Sequence, residues 1–212
     1  MVRIFPLIFI LLWSSAFITT KPIIDNSDPF SALAFRFFFV AIGFYLFSIY
    51  SKHSIIIKRK NLIESVLSGV LFHGLYLGGV FYSISIGMPT GIAALIVTLQ
   101  PVLTNALSGP ILGEKVTLKQ WIGVLLGFIG AALVLGFDVG SDIPLLGLVA
   151  TIVALIAITS STIWQKKLSN NLSLPVSNFY QALGGCLFHI LIIIFFAKPY
   201  VDFSLTFIIA MS

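Results

Sequence analysis

Most of this chain is apolar, so the polar side chains that interrupt its apolar runs are where chemistry would reside. Arg36 follows Pro29 by seven residues, which places it about 10 Å into a helix that starts at the proline. A charge at the centre of a membrane helix costs roughly 2.5–3.5 kcal/mol on insertion scales. Arg36 is therefore expected to face protein or a cavity, with snorkelling to the outer headgroups as the alternative. Three other runs carry stripes of small and polar residues at spacings of three and four. One holds Ser65, Gly69, His73, Tyr76, Gly79 and Ser83, the next Ala94, Thr98, Pro101, Asn105 and Ser108, and the last Asn178, Gln181, Gly185 and His189. Such spacing puts each set on one helical face. Small residues at these positions let helices approach closely, whereas embedded His, Gln and Asn need polar partners or water. His73, Tyr76, Gln100, Asn105, Gln181 and His189 are accordingly expected around one water-accessible volume near the midplane, with Trp13 as an apolar wall. Gln100-Pro101 could open its helix, because proline removes a backbone hydrogen bond.

Enzymatic readings find no support. None of His53, His73 and His189 begins a zinc-protease HExxH pattern. An intramembrane aspartyl protease needs two embedded carboxylates, and no Asp or Glu falls in the middle of any apolar run. No motif marks a serine nucleophile for a remote Ser–His pair. No catalytic residue, metal or cofactor is expected.

The elements that position these residues follow from composition. Of the 212 residues, 58% are hydrophobic and 9% charged, against about 25% charged in an ordinary soluble domain. A soluble fold of this size could not hide so much apolar surface, so the excess must face lipid. Spans of about 20 residues are expected near 4–20, 30–50, 63–86, 91–112, 120–137, 144–164 and 178–197, with an eighth run starting at Phe203 and cut off at Ser212. The breaks are Asp25-Asn26-Ser27-Asp28-Pro29, Met88-Pro89-Thr90 and Ser141-Asp142-Ile143-Pro144, where proline and capping residues stop helices. The expected fold is an all-α transmembrane helical bundle of seven full spans and part of an eighth. The partial span suggests a fragment.

Nine of the eleven Lys and Arg residues outside the spans lie at the N-terminus or in even-numbered loops, Lys21 and Lys198 being the exceptions. This bias puts the N-terminus in the cytoplasm and accounts for the net charge of +5 without nucleic acid. Met1 to Ala16 could imitate a signal peptide, but the apolar run continues through Phe17 and Ile18. The lone Cys186 cannot form an intramolecular disulfide. The setting expected is the cell inner (plasma) membrane, with multiple passes. The partners expected are a small-molecule substrate and the lipid bilayer, and a homodimer is compatible with the sequence.

A shift of 146 residues carries Ser14-Ser15 onto Ser160-Ser161, Lys21 onto Lys167, Pro29 onto Pro175 and Ser31 onto Ser177. It superposes span one on span six. A five-span unit has an odd number of crossings, so its copy is inverted, as in many transporters. The boundaries expected are 1–142 for the first repeat and 143–212 for the incomplete second. Gly123, Gly127 and Ala131, like Gly74 and Gly78, form small-xxx-small packing motifs.

Trp13-Ser14-Ser15-Ala16-Phe17 with Lys21-Pro22, the Pro29 to Arg36 segment and Gly91 to Pro101 resemble EamA-type members of the drug/metabolite transporter superfamily. So do Ile111-Leu112-Gly113-Glu114-Lys115, Gln120-Trp121-Ile122-Gly123, Gly127 and Gly130. The resemblance implies a ten-helix bundle of two inverted five-helix halves. It also implies a permease for small metabolites such as amino acids, exporting them by alternating access, with Glu114 as a gate. The competing function is a non-transport signalling or assembly subunit of the membrane, with a dry interior and no solute flux.

Overall fold

The computed structural model describes residues 5–113, 116–135, 143–168, 172–196 and 198–211. The chain folds as α1 (Phe5–Asp25), α2 (Pro29–Tyr50), α3 (Arg59–Gly69), a π-helical segment (Val70–Tyr76) and α4 (Leu77–Ser85). It continues as α5 (Thr90–Val97), α6 (Gln100–Leu112), α7 (Leu118–Leu135), α8 (Leu145–Leu168), α9 (Leu174–Phe196) and α10 (Leu205–Met211). Among the described residues, five stretches are long and apolar enough to cross a membrane: Pro29–Tyr50, Arg59–Ser85, Thr90–Leu112, Leu145–Lys166 and Leu174–Phe196. Helices α1 and α7 stand where the first and fifth spans were expected, and α10 lies in the eighth apolar run.

The helix ends follow the local chemistry. The Asp28 carboxylate accepts from the Ser31 N–H at 2.8 Å, and Pro29 opens α2 with a preset φ. Gly113 closes α6 at φ +70°, a left-handed turn that suits glycine. The fourth span is interrupted just before the Gln100-Pro101 pair: α5 ends at Val97, α6 restarts at Gln100, and the Thr98 hydroxyl donates to the Leu95 carbonyl at the break. The third span is unbroken, but its middle turns are wound as a π-helix.

Helix α2 packs most extensively on α9, while the third span packs on both α8 and α9. At one end of the bundle α1 meets α10. There Asp28 N–H donates to the Tyr200 carbonyl and Asp202 N–H to the Asn26 carbonyl, both at 2.8 Å. At the other end the Tyr180 hydroxyl donates to the Ile55 carbonyl at 2.9 Å. Two apolar cores result. One gathers Leu33, Phe37, Ala182 and Phe207 between α2, α9 and α10, and the other Tyr76, Val80, Met88, Ala93 and Ala154 between the third span, α5 and α8. Phe38, Phe39, Leu46 and Phe47 of α2 and Leu191, Ile194, Phe195 and Phe196 of α9 are exposed. Lipid is the solvent that suits such a surface.

Glycines set how closely the helices cross. A Cβ at Gly69 would overlap the Gln181 backbone, one at Gly184 the Val66 backbone, and one at Gly185 the His73 side chain. Gly74 lies against Phe188 and Gly78 against His189, so that small-residue motif is used in packing. The second motif is not. Gly123 and Gly127 have nothing within 4 Å of an added Cβ among the described residues, because that face of α7 meets no other described helix there.

Candidate functional site

A cleft of about 360 Å³ opens between the end of α8 and the start of α9. Thr162, Gln165, Lys166, Ser177, Asn178 and Gln181 line it, with Leu174 as an apolar edge. Behind it Ser161 and Thr162 of α8 supply a polar backing. Helical Ser and Thr return their single proton to a carbonyl one turn back. Thr162 does so to Ile158 O at 2.8 Å, so its oxygen is free to accept from Gln100 Nε2 at 3.3 Å, while the same amide reaches Thr104 Oγ1 at 3.1 Å. Ser161 instead crosses to α3, donating to Ser68 O at 3.0 Å. With that proton committed, the Ser68 hydroxyl must donate to Ser161 Oγ, 3.1 Å away, which also accepts from Gln165 Nε2 at 3.1 Å. Gln181 Nε2 donates to Ser177 Oγ at 2.9 Å.

The cleft thus presents three side-chain amides and one ammonium, held in part by buried hydroxyls, and none of its lining residues is a carboxylate. Amides both donate and accept, and Lys only donates. The lining suits a small solute that carries a carboxylate together with further hydrogen-bonding groups.

The expected single cavity is divided. Gln181 lines the cleft and Gln100 stands behind it through Thr162. His73 and His189 do come together, but in an aromatic enclosure away from the cleft: their rings lie 4.4 and 6.0 Å from Phe37. Tyr76 is buried in the apolar core with Val80 and Met88. Asn105 is partly buried on α6, lines neither described cleft, and gives its backbone carbonyl to Ser108. The π-helical segment is the physical reason. Its extra residue per turn changes the phase of the third span, so Gly69, Gly74 and Gly78 face α9 while Tyr76 turns toward α5 and α8. The Trp13 side chain and the whole of Glu114 lie outside the described residues. The sequence reading missed Thr162, Gln165 and Ser177, although the hydroxyl run of α8 was the signal for the first.

Arg36 lines a separate groove of about 460 Å³ with Phe35, Phe39, Phe203 and Phe207, between α2 and α10. It has no hydrogen-bond or ion-pair partner among the described residues. Arg36→Leu should melt at or above the temperature of the parent in nanodiscs, because it removes an embedded charge worth about 2.5–3.5 kcal/mol of insertion cost and orphans no described group. A fall in melting temperature would show that the guanidinium is holding structure.

Comparison with known proteins gives a consistent result. The EamA-like transporter family matches residues 3–136. The "Uncharacterized transporter YvbV" of Bacillus subtilis (strain 168) is 25% identical over 161 residues, covering 74% of this chain and 51% of that protein. The "Probable amino-acid metabolite efflux pump" of Escherichia coli (strain K12) is 24% identical over 171 residues, covering 80% and 54%. The chain spans about half the length of these curated relatives. One solved structure shares the fold with a TM-score of 0.72 at 16% identity, over 94% of this chain and 74% of that one.

Proposed function

The chain belongs to the EamA-like transporter family, and from that premise we propose that it moves a small polar metabolite out of the cell, with the α8–α9 cleft as the solute site. It is a membrane transporter and not an enzyme. The observation that carries the solute site is the amide-lined, hydroxyl-backed cleft between α8 and α9. Amino acids or their close derivatives are the substrate class, since their carboxylate and amine match amide and ammonium donors and amide acceptors. The name of the Escherichia coli relative, a metabolite efflux pump, supports the same reading and the outward direction.

Alternating access follows from inverted repeats, 1–142 and 143–212. Three pairings support that reading. The second helices of the two units, α2 and α9, pack on each other, and each carries one of the repeat-related prolines, Pro29 and Pro175, in its first turn. The first helix of each unit packs on the third of the other: α1 on α10, and α8 on the third span. Rocking of one unit against the other would open a site between them to either side in turn.

The charge bias supports a cytoplasmic N-terminus and cytoplasmic loops at 51–62, 113–119 and 165–173, the last joining α8 to α9. The cleft then opens inward, where an exporter loads. A Lys58→Cys probe in a Cys186→Ala background should resist an impermeant maleimide in intact cells and react in inverted vesicles. Reaction in intact cells would overturn the orientation. Transport itself is tested by reconstitution with a panel of labelled amino acids and derivatives. Saturable movement above protein-free vesicles is expected for at least one solute, and none for any solute would sink the proposal.

A further inference from the structure

His73 and His189 make an arrangement that the solute cleft does not use. His189 is fully buried on α9, and its Nε2 lies 2.9 Å from the His73 backbone carbonyl within the π-helical segment. A carbonyl only accepts, so Nε2 carries the proton and Nδ1 of the neutral ring is a free lone pair. The Nδ1 atoms of both rings are buried and have no partner among the described residues. Both rings are seated by glycine: Gly185 makes room for His73, and Gly78 for His189, whose Cε1 is 3.1 Å from the position of an added Cβ. Phe30 and Phe37 each lie 6.0 Å from the His189 ring. Packing alone gives no reason for two histidines here, since apolar side chains fill such a space without leaving unpaired nitrogens.

We propose that His73 and His189 form one proton-binding site near the membrane centre, which couples proton entry to solute exit. The proposal rests on the transport reading above. A proton arriving from the outer side bonds to the Nδ1 lone pair of His189, giving an imidazolium, and leaves from the same atom to water on the inner side. Phenylalanine faces within about 6 Å stabilise such a cation. Two adjacent cations repel, so the pair holds one proton. The ionisable groups along the elements packed on the pair are Arg36, Tyr45 and Tyr50 of α2 with Asp28 at its N-cap, Arg59, Lys60, Tyr76 and Tyr82 of the third span, and Tyr180 and Cys186 of α9. On α8 the nearest is Lys166 toward its cytoplasmic end. The carboxylate of the third span, Glu64, precedes His73 by nine residues, about 13 Å along a helix. Among the described residues no carboxylate is bonded to the Nδ1 atom of either ring, and Asp28, two residues before Phe30, is committed to the Ser31 N–H, so the charged state must admit water or repack. The π-helical winding at the same residues is the place where the third span can change register. Gln181 of the cleft precedes His189 by eight residues on the same helix, so repacking of α9 at the histidines reaches the solute.

A His53→Gln background leaves only these two of the three histidines. Imidazole ¹⁵N spectra in nanodiscs between about pH 5 and pH 8, the range of ordinary histidine titration, should show one proton taken up per chain, with His189 keeping its Nε2 proton. Two rings that stay neutral, or that both become charged, would overturn the site. In vesicles, an imposed gradient of about one pH unit, worth about tenfold in driving ratio, should raise solute flux through the parent. His189→Gln keeps an amide N–H for the His73 carbonyl but cannot take the proton, so its ratio of flux with and without the gradient should fall to one. An undiminished ratio would overturn the coupling. Proton uptake by a parent that moves no solute would overturn the transport reading and the coupling together while leaving the proton site established.

Discussion

Gly69→Ala should lower the melting temperature by about 5 °C or more, a large effect for one added methyl group. At Gly69 the added Cβ meets the backbone of Gln181, and at Gly184 it meets the backbone of Val66. Side chains can rotate away from an intruding atom, but two helix backbones must separate. Overpacking of this kind costs about 1–3 kcal/mol, and more where nothing yields, with each kcal/mol worth about 2–4 °C in a chain of this size. Separation of α3 from α9 would also stretch the bonds that tie Ser68 to α8, since both interfaces share α3. Gly127→Ala is the contrast. Its Cβ enters open space, and replacing a helical glycine by alanine is worth up to about 1 kcal/mol of added stability. Thermal unfolding of both variants in nanodiscs checks the pair, and equal melting temperatures would contradict the close crossing.

The second large effect is on flux. Gln181→Leu should reduce saturable solute movement by about tenfold to a hundredfold, the equivalent of the roughly 1.5–3 kcal/mol carried by a hydrogen bond to a charged group. Gln181 is buried, with its Nε2 committed to Ser177, and of the residues lining the cleft it lies furthest along α9 from the mouth. Leucine fills a similar volume but cannot donate or accept. Thr159→Val is the control, because that hydroxyl is buried and bonds only within α8, to Leu155 O at 2.7 Å. Its flux should match the parent, whereas a general intolerance of polar loss would impair both.

Much of the fold was legible because proline, aspartate and glycine act locally. Asp28-Pro29, Gln100-Pro101 and Gly113 stop or start helices wherever they occur in an apolar chain, and lipid-facing runs announce themselves by length. The π-helical turn at Val70–Tyr76 was not legible, since no residue type there demands it. Once it shifts the helical phase, a stripe read at three and four spacing no longer lies on one face, and Tyr76 parts from Gln181. Small-xxx-small patterns say that close approach is allowed, not which neighbour arrives. Gly74 and Gly78 found α9, while Gly123 and Gly127 meet no other described helix. In the cleft, Gln181 was found as an embedded amide, but Thr162 and Ser161 were missed because helical hydroxyls commonly satisfy themselves on their own backbone. Only the fold reveals that Ser161 reaches across to Ser68.

The central claim is that solute occupies the α8–α9 cleft from the cytoplasmic side. Asn178 lines that cleft, and the chain has a single cysteine, so Asn178→Cys with Cys186→Ala offers one reactive thiol in the proposed site. In inverted vesicles a hydrophilic maleimide should label it, and a saturating amount of a transported amino acid should slow the labelling in proportion to site occupancy. Labelling at the same rate with and without transported solute would contradict the account.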